Sequence, residues 1–145
     1  MWWPRSATCS KRPKRPKRSK TFRFAKLMRV YGQSMAPLLR PGALVLVDES
    51  AYHHRAPERG EIVAARPMSL GGKAVVKRVV GLPHERVSLN HRSWALASGE
   101  YLLLGDARDE SLDSRAFGPV TYQELVGRVW LCCWPLRRLS SVLPS

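Results

Sequence analysis

"GGKAVVKRVVGLP", residues 71–83, is the stretch on which the fold reading turns. Four valines crowd the eight positions between its Gly-Gly and its Gly-Leu-Pro. β-Branched side chains are stiff at χ1 and suit a pleated surface, so the run reads as a strand between turns. A period of two puts Val75, Lys77 and Val79 on one face and Val76, Arg78 and Val80 on the other. Two cations therefore sit inside an otherwise apolar strand.

The same grammar repeats on both sides. "ALVLV" (43–47) lies between Pro-Gly and Asp-Glu-Ser, and "EIVAA" (61–65) follows "PERG". "RVSL" (86–89), "SWAL" (93–96) and "EYLLL" (100–104) are separated by turn residues, and "LVGRVWLCCW" (125–134) stops at Pro135. "TYQEL" (121–125) suggests a short helical turn, and "FRFAKLMRV" (22–30) reads as helix or strand. Many short strands and few helical patterns predict a mostly β fold, a barrel or sandwich. The 145 residues and 44% hydrophobic content suit one domain with a real core.

The formal charge of +14 is unevenly spread. Residues 1–29 hold 11 Lys/Arg and no acid, while the rest carries 14 basic and 11 acidic residues. The expected organisation is a basic, proline-containing disordered tail over 1–27, one domain over 28–140 and a short tail over 141–145. The KRP repeats suit an anionic surface, lipid or nucleic acid, or are simply solvated; Trp2 and Trp3 favour a membrane interface over nucleic acid. No run of 18 apolar residues occurs, so no transmembrane helix is expected. Cys9, Cys132 and Cys133 argue against a disulfide framework, and the last two should face opposite sides of a strand.

Ser34, in "YGQSMAP", occupies a turn that Gly32 lets bend and Pro37 stiffens. Such a serine can present its Oγ and its own N–H outward, although a turn serine alone is weak evidence. A nucleophile needs a base. His53, His54, His84 and His91 lie in polar, loop-like surroundings and read as surface residues. Lys77 has two readings: it snorkels to water from an edge strand, or it is buried and loses its proton. A fall from ~10.4 to ~8 would cost about 3 kcal/mol, a cost that implies a use for the neutral amine. A third stretch, "GDARDESLDSRAFGPV" (105–120), packs six charges and two serines, Ser111 and Ser114, into a loop from which a serine could reach a lysine amine.

Together, "GQSMAPLL", "VKRVVGLP" and "GDARDESLDSRAFGPV" resemble the type I signal peptidase family, from about residue 28 to 138. The resemblance implies Ser34 as nucleophile, Lys77 as general base and Ser111 as a hydrogen-bonding partner of the lysine amine. It implies structural ion pairs Arg78–Asp106 and Asp113–Arg115. It also implies a largely β fold, no metal or cofactor, and pre-protein substrates with small residues at P1 and P3. Four departures stand out: Gly32 replaces a serine that supplies an oxyanion hydroxyl in many members, Ala107 and Glu110 replace common asparagines, "LPHE" replaces Leu-Pro-Gly-Asp, and the basic tail stands where an anchor is usual. The last leaves three settings open: peripheral attachment to a membrane, an anchor missing from this chain, or cleavage of a soluble cytoplasmic precursor, as in the similar nickel superoxide dismutase maturation proteases. The SOS repressor autoproteases share the dyad but lack the acidic loop. A non-catalytic binding module using the basic tail is the reading from another class.

Overall fold

The computed structural model describes residues 25–139. Ten strands form: β1 (Ala25–Arg29), β2 (Leu44–Asp48), β3 (Ile62–Ala65), β4 (Val75–Gly81), β5 (Arg86–Leu89), β6 (Arg92–Ala95), β7 (Glu100–Leu104), β8 (Val120–Thr121), β9 (Leu125–Trp134) and β10 (Leu136–Arg138). One short helix, α1 (Ser114–Phe117), and 3-10 turns such as Tyr122–Glu124 complete the described part. The mostly β expectation holds. The segment left open as helix or strand is strand β1, which begins three residues before the boundary drawn at 27/28. The rest of the basic tail and residues 141–145 lie outside the described residues.

The main sheet runs β1-β2-β9-β3-β4-β7-β8, with β10 folded back on β9, and its neighbours pair antiparallel. β9 is its spine, since ten residues let it pair with both β2 and β3. The hairpin β5–β6 forms a separate two-stranded sheet.

Both faces of the sheet centre are covered. Ile62 and Ala64 join one apolar cluster with Val45, Val47 and Val129, while Val63 and Ala65 join another with Val79, Tyr101 and Leu103. All four residues of β3 are therefore buried. In β4, Val76, Lys77, Arg78 and Val79 are likewise all buried, so its two cations face a core on either side rather than core and water. Lys77 does not snorkel to water from an edge: its side chain is buried, in a strand that pairs with β3 along this stretch and with β7 from Arg78 on.

Candidate active site

Ser34 sits on the turn that carries the chain from β1 to β2. Two backbone bonds close its base, Val30 N to Ala43 O and Gly42 N to Val30 O, each 2.8 Å. The fully buried Met35 and Leu39 nail the turn to the core. Gly32 has φ +74°, left-handed backbone that glycine adopts without a side-chain penalty, so the serine usual in many members would be strained here. Among the described residues, none accepts a hydrogen bond from the Ser34 N–H.

Lys77 arrives from the sheet. It lies opposite Val63 of β3, while the pairing with β7 begins only at Arg78, opposite Leu104. Beside Lys77, β7 has therefore already given way to the loop that starts at Gly105. The side chain is buried at 4% exposure. Its Nζ donates to Ser111 Oγ over 3.2 Å. Burial pulls the amine down from its ordinary value to about 8; the Asp113 carboxylate opposes this shift and Arg115 adds to it. Ser34 and Lys77 are walls of one cavity of about 90 Å³, completed by residues 28–31 at and just beyond the end of β1 and by Ala74, Val75 and Val76. Among the described residues, no hydrogen bond joins Ser34 Oγ to Lys77 Nζ.

The loop 105–113 touches both. Ala107 N donates to Ser34 O over 2.9 Å, while Ser111 meets the amine. Gly105 makes this convergence possible: a Cβ there would fall 2.1 Å from Ser111 Oγ and 2.6 Å from Ser34 O. Two ion pairs hold the loop. Arg78 Nε and Nη2 bind Asp106 Oδ1 and Oδ2, both at 2.8 Å, and Nη1 reaches Gly60 O at 2.9 Å. Asp113, fully buried, accepts from Arg115 Nε and Nη2, each at 2.9 Å, and from Gly105 N at 3.1 Å. Burial would raise the Asp113 pKa, but these bonds, with the Ser111 hydroxyl, hold it below the usual carboxylate value.

The eight residues singled out in the sequence thus fall in one region: Ser34 with Gly32 on the turn, Lys77 and Arg78 on β4, Asp106, Ser111 and Asp113 on the loop, and Arg115 in α1 that follows it. Ser114 does something else. Its buried Oγ accepts from Leu103 N at 2.9 Å, standing in for a ladder partner of β7. The four histidines are exposed. Sequence reasoning missed the Ala107 N–H, because a backbone donor leaves no residue-type signal. It also missed the Glu61 knot, in which one carboxylate binds Arg55, Arg128 and the Tyr52 hydroxyl.

Comparison with known proteins follows the same outline. A solved signal peptidase I from Enterococcus faecalis V583 matches 52% of this chain and 97% of its own at 26% identity, with a TM-score of 0.44. The family described as signal peptidase, peptidase S26, matches residues 20–93 and 90–134. Mitochondrial inner membrane protease subunit 1 of Xenopus tropicalis is 34% identical over 120 residues, covering 79% of this chain and 72% of that protein. Signal peptidase I of Leptolyngbya laminosa is 31% identical over 143 residues, covering 77% and 70%. With both matched segments spanning the turn, the strand and the loop just described, the chain belongs to the signal peptidase S26 family and is a peptidase.

Proposed function

We propose that this chain is a serine endopeptidase that uses Ser34 and Lys77 as a dyad to cleave pre-proteins after small residues. The observation that carries the reading is the shared cavity: a turn hydroxyl and a buried, weakly basic amine form walls of one space. An amine near 8 is a competent base at mildly alkaline pH, where an ordinary lysine is almost wholly protonated. Lys77 takes the Ser34 proton as Oγ attacks the scissile carbonyl. The Ser34 N–H meets the developing oxyanion, Lys77 passes the proton to the leaving amine, and water releases the acyl group by the same route. Ser111 and the ion-paired loop keep the amine oriented throughout. The cavity's 90 Å³ is well below the about 150 Å³ that admits a benzene ring, which suits an alanine-sized P1 side chain and not an aromatic one.

The setting we infer is a membrane surface, reached through the basic segment 1–27. Relatives named as inner membrane proteases support it, and no helix among the described residues is long and apolar enough to cross a bilayer. High-salt extraction of the native protein should release it; retention until detergent is added would contradict an electrostatic attachment.

The direct test of the dyad is cleavage of a precursor with an Ala-x-Ala site. Ser34→Ala and Lys77→Ala should each abolish turnover, a loss on the order of 10⁴-fold or more, while circular dichroism stays that of the folded chain. Near-wild-type turnover by Lys77→Ala would remove the dyad.

A further inference from the structure

The hairpin β5–β6 has no part in the chemistry above, and two strands alone are barely stable in water. Something must tie it down. At its base, His84 N donates to Leu96 O and Leu96 N to Glu85 O, at 2.9 and 2.8 Å. Its tip is a two-residue turn, Asn90 and His91, with φ of 47° and 64°, the left-handed pair whose twist matches that of the flanking strands. This turn delivers Arg92 as the first residue of β6. The guanidinium lies 5.4 Å from the centre of the Trp94 ring, and Nη1 donates to Arg115 O at 2.7 Å.

Arg115 is no neutral anchorage. Its side chain is the two-pronged partner of Asp113, and Asp113 in turn holds Gly105 N. Between Gly105 and Asp113 lies Ser111, the acceptor of the Lys77 amine. A continuous chain of contacts therefore runs from the hairpin tip to the amine.

Resting on the peptidase reading above, we propose that Arg92 is a positioning residue: by fixing the backbone of Arg115 it keeps the Arg115–Asp113 pair, and with it Ser111, in register with Lys77. The charged and titratable groups around that amine are Asp113 on the loop, Arg115 in α1, Arg29 at the end of β1 and Tyr31 just after it, the last two across the cavity; β3 offers only Val63 opposite it. When Arg115 loosens, its positive charge withdraws while Asp113 stays buried, so the balance at the amine tips toward the protonated form.

The test pairs Arg92→Ala with Arg92→Lys in the full chain. Two quantities are read: kcat and KM for an Ala-x-Ala precursor, and the Lys77 titration midpoint by NMR on isotope-labelled lysine, which needs no turnover. Arg92→Ala should lower kcat roughly fivefold with KM unchanged and move the midpoint upward, and Arg92→Lys should recover most of both. A wild-type kcat and midpoint in Arg92→Ala would overturn the proposal, as would a kcat loss that only follows the melting temperature while the midpoint stays fixed. If the wild-type chain cleaved nothing, the peptidase reading would fall, yet the midpoint shift would still decide the role of Arg92.

Discussion

Lys77 and Arg78 are consecutive, equally hidden and resolved in opposite ways. Their exposures are 4% and 2%. Arg78 meets a matched carboxylate on two prongs and fills a third donor with a backbone carbonyl. A guanidinium cannot shed its proton in a protein, so burial demands that partnership. Lys77 finds a hydroxyl instead, and the Asp113 carboxylate that acts on its charge is already committed to Arg115. Its relief is to bind the proton less tightly. One strand thus places a locked charge beside a labile one, and the locked charge holds the loop on which the labile one depends.

Breaking the locked side should have the largest effect. Arg78→Met leaves Asp106 buried without its partner and should cost about 3–5 kcal/mol in chemical denaturation. Adding Asp106→Leu should regain much of that loss, because it removes the uncompensated charge. A single variant as stable as wild type would show that the pair is not a real constraint.

The labile side should respond with the opposite sign. Lys77→Met removes an amine whose burial is unfavourable while it carries a proton. Between about 8 in the folded chain and about 10.4 in the unfolded one, the unfolded state holds more protons, so wild-type stability climbs with pH across that window. Below about 8 the penalty is present in full, and Lys77→Met should be the more stable by about 3 kcal/mol. The advantage should vanish above about 10.4. Equal stabilities at neutral pH would mean that Lys77 meets no desolvation.

The smallest effect sharpens the comparison from a third position. Glu61 is buried under Arg55 and Arg128, each 35% exposed and open to water. Burial pushes its carboxyl up, and the bonds from Arg55, Glu58 N and Tyr52 outweigh that and hold it below the usual value. The stability it contributes is present above the ordinary carboxylate range and is lost as pH falls through its lowered folded value. Glu61→Gln should cost about 1–3 kcal/mol at neutral pH and flatten the acid decline, because half-hydrated arginines tolerate the loss better than buried Asp106 tolerates the loss of Arg78. An unchanged acid limb would exclude Glu61 as the titrating group.

Much of this was legible before the fold. Valine runs between Gly and Pro marked β4 and its neighbours, because β-branched strands and turn residues act locally. The three boxes marked Ser34, Lys77 and the loop, because their chemistry depends on residue type. What was not legible depends on distance in the chain or on backbone atoms. β8, β10 and α1 are too short to carry a period, and β10 lies beyond the proline at which the pattern stopped. Alternation placed one face of β4 in the core, but only the stacking of two clusters across the sheet buries both. Arg128 reaches Glu61 through the β3–β9 pairing, and Tyr52 and Arg55 reach it from the irregular segment before β3, convergences that no local pattern announces. Ser114 read as a candidate lysine partner because a hydroxyl says nothing about which group it will meet; its place at the start of α1 turns it to the β7 backbone instead.

The claim beneath all of this is that Ser34 is activated by an amine whose surroundings weaken its hold on a proton. The most direct measurement is the rate at which a serine-acylating reagent modifies Ser34 as a function of pH, in wild type and in Lys77→Ala. The rate should rise with a midpoint near 8 in wild type and lose both its magnitude and that midpoint in the variant. A midpoint near the ordinary lysine value of about 10.4, or a profile that Lys77→Ala leaves intact, would contradict it.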